Sequence, residues 1–254
     1  MKHLISSVKK ISRIIDLFLD GEPSLSNKEI AEKLNLPPSS VHHFLKTMCQ
    51  ESILLQGSDK RYRLGWKILE WSNKVMYYQE INFEAGPIIS NLVARFKGTS
   101  HIGMFDNGEV RFVYKAMSPH ADIVPTFVGM TRYPAYSTSI GKVLLTYNPA
   151  FMLPMLEKGM FKQTANTITS VDDLKKELEV VYKNGYAISD QENASNTYGV
   201  AAPIKTYNGQ VVAALNLVGE KSYMNGKDKQ AIVREVIRSA ELISRQLGYM
   251  TINY

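Results

Sequence analysis

The fold is decided first by residues 25–45, which read LSNKEIAEKLNLPPSSVHHFL. Ser26, with Glu29 three residues later, has the pattern of a capping box, so a helix is expected to begin there. Pro37 and Pro38 suit the first turn of a second helix, because proline lacks the N–H that would have no partner at that position. The stretch therefore predicts two short helices joined by a tight turn.

Further elements flank this helix pair. Residues 6–19 carry apolar side chains at helical spacing and predict a helix before the pair. After it, residues 53–56 and 61–64 predict two short strands on either side of a turn at 57–60. Three helices followed by a basic hairpin is the order of a winged helix-turn-helix.

The second helix of the pair presents a polar face opposite an apolar stripe. Short side chains come first on this face and longer ones follow, which suits a helix tip pushed into the major groove. Basic hairpin tips contact phosphate, which adds salt-sensitive affinity. The candidate DNA-binding residues are Ser26, Ser39, Ser40, His42, His43, Lys46, Thr47, Lys60, Arg61 and Arg63. For the helix alone an ordinary solvated face is the alternative, but the basic hairpin beside it favours DNA.

Length and charge agree with this interpretation. At about 150 residues per domain, 254 residues predict two domains. Residues 1–75 carry twelve Lys and Arg against eight Asp and Glu, which is four of the six surplus positive charges of the chain. A small basic module beside a larger, nearly neutral one favours contact with nucleic acid, although a merely soluble basic surface is the alternative.

The composition excludes several classes of protein. The single cysteine, Cys49, rules out an intramolecular disulfide framework and a multi-cysteine metal site. No apolar run reaches the ~18 residues of a membrane-spanning helix, and the first residues do not have the form of a secretory signal. Neither a zinc-binding H-E-x-x-H motif nor a G-x-S-x-G elbow occurs. We therefore expect a cytoplasmic protein with no metal, no cofactor and no enzymatic activity.

The larger module is predicted to be an α+β domain with antiparallel strands. Residues 65–78 predict a connector helix whose Trp66 and Trp71 are expected to pack on a domain rather than stack on nucleotides. Asn107-Gly108 is a strong signal for a two-residue hairpin. The other predicted elements are strands over 100–105, 110–114, 122–128, 186–189, 200–205 and 211–218 and helices over 83–96, 140–145, 150–156, 170–185 and 226–247.

The run Ser137-Thr138-Ser139 immediately precedes one of these helices. Free backbone N–H groups and the positive end of the helix dipole meet at such a point, which favours an anion. Capping needs only one of the three hydroxyls, so simple capping is the alternative. An adaptable apolar wall is expected from Met104, Met117, Ile123, Phe127, Met130 and Tyr136. These residues predict a ligand with one carboxylate and an apolar or aromatic body.

Three runs of the sequence resemble the IclR family of bacterial transcription regulators. They are LPPSSVHHFL at 36–45, YSTSIGK at 136–142, and GYAISDQEN at 185–193 leading to VAAPI at 200–204. The resemblance covers nearly the whole chain. It implies a winged helix-turn-helix over 1–64, a linker helix over 65–80 and a GAF-like effector-binding domain with an antiparallel sheet over 81–254.

The same resemblance implies partners and a ligand site. It implies homodimers or dimers of dimers on palindromic operators in double-stranded DNA, and a small-molecule effector that is often a carboxylate or an aromatic acid, so a small organic acid is expected. Together with the hydroxyl run, the matching positions give the candidate effector-binding residues Met130, Ser137, Ser139, Ile140, Gly141, Ser189, Asp190 and Gly199. The sequence departs from the family pattern at several positions. His43 replaces a common arginine, Ser189 an acid found in some members, Gly199 a frequent cysteine and Asn196 a frequent glycine.

The function that we predict is a transcriptional regulator whose operator affinity is modulated by a carboxylate or aromatic acid. One alternative is a constitutive DNA-binding repressor whose C-terminal domain serves only oligomerisation. Another is an enzyme built on the pocket domain, which the absence of a convincing catalytic set disfavours.

Overall fold

The computed structural model describes residues 5–19, 22–77, 81–119, 121, 126–226 and 228–249. The chain divides into two compact units, residues 1–79 and residues 80–254. In the described part of the chain, no helix combines the length and the apolar character needed to cross a membrane.

The first unit is a winged helix-turn-helix, as the sequence predicts. Its elements are α1 (Ser6–Asp16), α2 (Asn27–Leu34), α3 (Pro38–Gln50), β1 (Leu54–Gln56), β2 (Tyr62–Leu64) and α4 (Trp66–Tyr77). One apolar cluster joins the helices and the hairpin, with Ile14, Ile30, Leu45 and Leu54 completely buried. Each element thus contributes its apolar side to a single small core.

The predicted capping box fixes the start of α2. Ser26 Oγ accepts a hydrogen bond from the Glu29 N–H at 3.3 Å, and Glu29 Oε2 accepts one from the Ser26 N–H at 2.7 Å. The helix ends at Asn35, whose left-handed conformation (φ 52°) turns the chain towards α3. Across this turn, Asn27 Nδ2 donates to the Pro38 carbonyl at 3.2 Å. Local hydrogen bonds therefore set the angle at which the two helices meet.

The hairpin is tied to the helices through the backbone. β1 and β2 pair in antiparallel register, with Leu54 opposite Leu64. Leu25, just before α2, pairs with Tyr62 of β2 through two backbone hydrogen bonds of 3.0 and 2.7 Å. The wing therefore holds a fixed position beside the helix-turn-helix.

The connector helix α4 forms as predicted, but its two tryptophans lie outside the core of the first unit. Trp66 is 68% exposed and Trp71 is 49% exposed. Ile68, which lies between them in sequence, is half-buried instead. The helix therefore turns a different side towards the core of the first unit, and the expected packing of both aromatic side chains is not seen within this unit.

The second unit is an α+β domain, as predicted, and contains one six-stranded antiparallel sheet. Its elements are α5 (Ile81–Arg95), β3 (Thr99–Asp106), β4 (Glu109–Met117), β5 (Arg132–Pro134), α6 (Ser139–Tyr147), α7 (Met152–Glu157), α8 (Val171–Asn184), β6 (Ala187–Asp190), β7 (Thr197–Lys205), β8 (Val211–Glu220), α9 (Lys221–Met224) and α10 (Lys229–Gln246). The strand order across the sheet is β5-β4-β3-β8-β7-β6.

Helices cover both faces of this sheet. On one face α5 and α10 pack over a core that includes Ile89, Leu215 and Val236. On the other face α6 and α8 pack over a core that includes Ile140 and Ala214. Neighbours along a strand point to opposite faces, so Ala214 and Leu215 serve different cores. Burial on both sides explains why β8 is apolar along most of its length.

The sequence predicted the Asn107-Gly108 turn of this unit more accurately than its short strands. Asn107 and Gly108 both have positive φ, 49° and 90°, as a two-residue hairpin of this type requires. The strand predicted over 122–128 is wrong at residues 126–128, which lie outside any strand, while 122–125 lie outside the described residues. A turn forms there instead, closed by the Thr131 N–H on the Phe127 carbonyl at 3.0 Å. The sequence did not predict β5, which is three residues long and too short to show alternation.

Candidate functional site

The polar face of α3 is exposed and lies opposite a buried stripe. Val41, Leu45 and Met48 are at most 1% exposed and anchor the helix in the core. On the opposite side the predicted contacts Ser39, His42, His43, Lys46 and Thr47 are exposed and Ser40 is half-buried. The structure thus brings six predicted residues together on one helix face.

Two other predicted DNA contacts are engaged within the unit. Ser26 caps α2. The Arg61 guanidinium donates to the Ser24 carbonyl at 2.9 Å and to Ser24 Oγ at 3.0 Å, and it lies 3.0 Å from Glu29 Oε2. Hydrogen bonds from Ser26, and then from Arg61, hold the pKa of Glu29 below its ordinary value. Ser26 therefore serves as the cap of α2, and Arg61 fastens the hairpin to α2. Both side chains have partners within the unit, and their contact with DNA stays a prediction.

One cation at the tip of the hairpin, the Lys60 ammonium group, has no ion-pair partner among the described residues. Lys60 is exposed, with a left-handed backbone (φ 59°), and it has no ion pair within the described part of the chain. Arg63 lies 2.7 Å from Asp59, and its hydrogen bond lowers the pKa of that carboxyl. Both groups are more than 40% exposed, so phosphate can compete for Arg63.

The second unit contains a cavity of about 290 Å³ between the start of α6 and the sheet. Among the described residues, Glu220 is the only Asp, Glu, Lys or Arg in its wall. The lining is otherwise rich in hydroxyl, carboxamide and aromatic groups, and consists of His101, Phe112, Thr126, Tyr133, Thr138, Ser139, Ile140, Ser189, Asn193, Ala194, Ser195, Asn196, Thr197, Gly199, Asn216, Val218, Gly219 and Glu220.

The three hydroxyls at the start of α6 have three different roles. Thr138 caps the helix by accepting from the Gly141 N–H at 3.0 Å. Ser137 is completely buried and donates to Asn193 Oδ1 at 3.2 Å. Ser139 lines the cavity, and its Oγ has no hydrogen bond to the described residues. The N–H groups of Ser139 and Ile140 belong to the first turn, where a helix leaves its donors unpaired. Capping and an anion site are therefore compatible here.

Four of the predicted effector residues line the cavity. Ser139 and Ile140 form one side, and Ser189 and Gly199 lie opposite each other on β6 and β7. A Cβ atom built on Gly199 would lie 3.1 Å from Ser139 Oγ. Glycine therefore keeps the space between the sheet and the start of α6 open.

The other four lie outside the lining. Ser137 is buried as described, and a Cβ on Gly141 would lie 2.0 Å from the Ala135 carbonyl oxygen, so this glycine permits close packing. Asp190 lies 2.9 Å from Lys221 Nζ in an ion pair. Met130 is 49% exposed. These four side chains are therefore not part of the cavity wall.

The apolar wall also differs from the prediction. Met104, Met117, Phe127, Met130 and Tyr136 do not line the cavity, and Ile123 lies outside the described residues. Tyr136 is buried, with its hydroxyl donating to the Phe161 carbonyl at 2.8 Å. The aromatic lining comes instead from Phe112 and Tyr133, which face each other edge-on at 5.8 Å.

The far wall contains a polar group that the sequence analysis did not select. His101 on β3 is 1% exposed and pairs with Asn216 on β8. Its Nδ1 lies 3.1 Å from Asn216 Oδ1 and its Nε2 lies 2.8 Å from Thr126 Oγ1. The ring stacks on Phe112 with centroids 4.3 Å apart. Burial lowers the pKa of His101 to about 4, so the imidazole is neutral at pH 7. In the sequence, the only indication of this group was a histidine within an otherwise mostly apolar predicted strand.

The described residues also offer little that resembles a catalytic or metal centre. Within them, no three His, Cys, Asp or Glu side chains are grouped so that they could hold a metal ion. Burial raises the pKa of the Cys49 thiol, which disfavours the nucleophilic thiolate.

Comparison with known protein families gives two matches. Residues 73–245 match the family described as "Bacterial transcriptional regulator IclR C-terminal". Residues 7–57 match the "IclR helix-turn-helix domain". The first match alone spans more than half of the chain.

Related proteins match over almost their whole length. The HTH-type transcriptional regulator XynR of Escherichia coli is 30% identical, over 97% of this chain and 98% of that protein. The glycerol operon regulatory protein of Streptomyces coelicolor is 27% identical, over 98% of both. These relatives are transcriptional regulators, which agrees with the prediction that the chain is not an enzyme.

Solved structures show the same fold. The IclR protein of Thermotoga maritima has a TM-score of 0.81 at 28% identity, over 96% of this chain and 99% of that chain. An IclR homologue from Microbacterium hydrocarbonoxydans, complexed with 4-hydroxybenzoate, has a TM-score of 0.84 at 23% identity, over 95% and 98%. With an IclR helix-turn-helix at residues 7–57 and an IclR C-terminal domain at residues 73–245, this chain belongs to the IclR family of bacterial transcriptional regulators.

Proposed function

We propose that this protein binds operator DNA through α3 and the β1–β2 hairpin, and that a small organic acid in the cavity changes its operator affinity. The observation that carries the proposal is a cavity bounded by the start of a helix, in the same chain as a helix-turn-helix. A unit that served only oligomerisation would not need such a cavity. The cavity therefore favours a ligand-responsive regulator over a constitutive repressor.

The DNA-binding half of the proposal is supported by exposure and charge. The exposed face of α3 offers hydroxyl, imidazole and ammonium groups but no carboxylate. Lys60 and Arg63 extend from the wing at a position suited to phosphate. A homodimer or dimer of dimers would place two such units on the half-sites of a palindromic operator. The protein would act where the genomic DNA lies, in the cytoplasm.

The ligand half is supported by the polarity of the cavity. A carboxylate at Ser139 and Ile140 would accept hydrogen bonds from the free N–H groups and the Ser139 hydroxyl. No Lys or Arg lies in the described wall, so an acid with a single charge suits the site better than a phosphate or a dicarboxylate. The Microbacterium homologue is complexed with 4-hydroxybenzoate, so a protein of this fold accommodates an aromatic acid.

The proposal is tested in two steps with full-length protein. An operator is first selected from sheared genomic DNA and its affinity is measured by fluorescence anisotropy. A panel of aliphatic and aromatic monocarboxylates is then added, and binding of each acid is measured by calorimetry. We expect at least one acid to bind and to change the operator affinity at least about fivefold.

A negative charge introduced into the cavity tests the proposed anion contact. Ser139→Asp places a carboxylate where the ligand's own carboxylate is proposed to lie, so binding of the acid should weaken at least about tenfold. Thr169→Asp makes the same exchange of hydroxyl for carboxylate at an exposed position outside the cavity. It should leave acid binding unchanged. Undiminished binding by Ser139→Asp would contradict the proposed anion contact.

A further inference from the structure

We propose that His101 determines which acids the cavity accepts, by fixing the Asn216 carboxamide with its Nδ2 donor towards the ligand. The ligand would then carry, besides its carboxylate, an uncharged oxygen that accepts a hydrogen bond from Asn216. This inference rests on the proposed function, since it concerns the same cavity, and it names the class of ligand more narrowly.

The orientation of the carboxamide follows from a backbone contact. The His101 N–H donates to Asn216 Oδ1 at 2.9 Å. A backbone N–H cannot accept, so the group facing it must be the carboxamide oxygen rather than the nitrogen. The Nδ1 atom of His101 lies 3.1 Å from the same oxygen and must therefore carry its proton. Two donors on one residue thus hold Asn216 Oδ1.

The remaining contacts of the His101 imidazole are consistent with a single tautomer, protonated at Nδ1. A neutral ring protonated at Nδ1 can only accept at Nε2. Thr126 Oγ1 lies 2.8 Å from Nε2 and therefore donates to it. Burial keeps the ring uncharged at neutral pH, and the ammonium group of Lys115 acts in the same direction. The ring also cannot turn freely, because it stacks on Phe112 at 4.3 Å.

These contacts leave the Nδ2 group of Asn216 as the free end of the carboxamide. Asn216 lines the cavity, and its Nδ2 has no hydrogen bond to a described residue. Turning the carboxamide around would place Nδ2 against the two donors of His101, which costs two hydrogen bonds in a buried position. The far wall therefore presents a fixed donor.

The register of the sheet gives the distance between the two ends of the site. Gly199, which faces Ser139, is paired with Val218 on β8. Asn216 lies two residues earlier on the same strand and on the same face, about 7 Å away. A ligand that reaches both ends would carry its second oxygen about this far from its carboxylate. An aromatic ring or a short alkyl chain between the two groups meets this requirement.

The experiment compares matched pairs of acids that differ only in the second oxygen. The probes are 4-hydroxybenzoate with benzoate, 4-hydroxyphenylacetate with phenylacetate, and 5-oxohexanoate with hexanoate. In wild-type protein we expect the oxygenated member of at least one pair to bind at least about tenfold more tightly by calorimetry.

The variants separate a specificity role from a structural one. His101→Phe keeps an aromatic ring on Phe112 but removes the ring donor and acceptor, so the preference within the pair should fall to about twofold or less. His101→Asn restores a donor near the position of Nδ1 and should recover most of the preference. A general loss of fold would lower the affinity for both members equally and leave their ratio unchanged. Nitrogen-15 NMR of labelled histidines should show that His101 is protonated at Nδ1 and unprotonated at Nε2 at pH 7.

Each outcome decides a specific claim. Equal affinities within every pair, or an unchanged ratio in His101→Phe, would overturn the role of His101 while leaving ligand-dependent operator binding intact. Binding of no acid in any pair would overturn the ligand class. Failure of every bound acid to alter operator affinity would instead contradict the proposed function and leave the role of His101 standing.

Discussion

Lys142 Nζ lies 2.6 Å from Glu192 Oε1 in the interior of the second unit, where the two side chains are 1% and 9% exposed. The same nitrogen donates to Glu177 Oε1 at 3.0 Å and to the Ile188 carbonyl at 2.9 Å. Burial raises the pKa of Glu192, and the charge of Lys142 opposes this rise. Lys142 belongs to α6, and Glu192 immediately precedes 193–197, so the pair joins two walls of the cavity.

Removing the Lys142 ammonium group should therefore destabilise the folded chain. Lys142→Met leaves Glu192 buried without its cation, and we expect the free energy of unfolding to fall by about 3–5 kcal/mol. Urea denaturation followed by circular dichroism measures this change. Lys176→Met is the matched control, because Lys176 pairs with Asp173 at 3.2 Å on an exposed helix face. It should cost less than about 1 kcal/mol, and equal losses in both variants would contradict the role given to the buried pair.

The neutral imidazole of His101 predicts a loss of stability at acidic pH. Its pKa is about 4 in the folded chain against an ordinary 6.5, so the unfolded chain takes up a proton first as the pH falls. The stability that this group contributes is complete above pH 6.5 and is lost progressively down to about pH 4, by up to about 3 kcal/mol. His101→Asn lacks this titration. The difference in unfolding free energy between wild type and His101→Asn should therefore shrink between pH 7 and pH 4.5, and a constant difference would rule the effect out.

Two neighbouring cations of the wing should behave differently on mutation. Lys60→Ala removes an exposed charge at the tip, so operator affinity should fall and the salt dependence of binding should weaken by about one counterion. Arg61→Ala breaks the contacts with Ser24 and Glu29 and should chiefly lower the stability of the first unit, by about 1–3 kcal/mol. Anisotropy titrations over a range of salt, with thermal unfolding in parallel, compare the two. A larger change in salt slope for Arg61→Ala than for Lys60→Ala would reverse our assignment.

Two glycines, Gly141 in the packing of α6 and Gly199 in the cavity wall, should respond differently to substitution by alanine. Gly141→Ala places a methyl group 2.0 Å from the Ala135 carbonyl oxygen, so we expect a loss of about 1–3 kcal/mol in unfolding free energy. Gly199→Ala places one 3.1 Å from Ser139 Oγ and narrows the space proposed for the carboxylate. It should weaken acid binding about tenfold with little change in stability. Unfolding curves and calorimetry check both, and unimpaired acid binding by Gly199→Ala would place the carboxylate elsewhere.

Local signals in the sequence predicted the first unit closely. The capping box at Ser26 and Glu29 depends on residues three apart, and so does not require knowledge of the tertiary fold. The same holds for the Asn107-Gly108 turn, whose positive φ values few residue types adopt readily. Helical spacing separated the buried Val41 from the exposed His43 for the same reason.

The wall of the cavity could not be predicted in this way. His101 and Asn216 are 115 residues apart and meet only because β3 pairs with β8. Hydroxyl chemistry indicated an anion site at the start of α6 but could not say that Ser137 turns inward while Ser139 faces the cavity. Sequence alone also counted Arg61 as a free cation, since its partner Glu29 lies on another element.

In our proposal, the acid and the operator bind to one protein with coupled affinities. The most direct measurement is the dissociation constant of the tightest-binding acid, determined by calorimetry with and without saturating operator DNA. Because coupling between two binding sites is reciprocal, this constant should change by the same factor, at least about fivefold, by which the acid changes operator affinity. The same dissociation constant with and without operator would contradict the account.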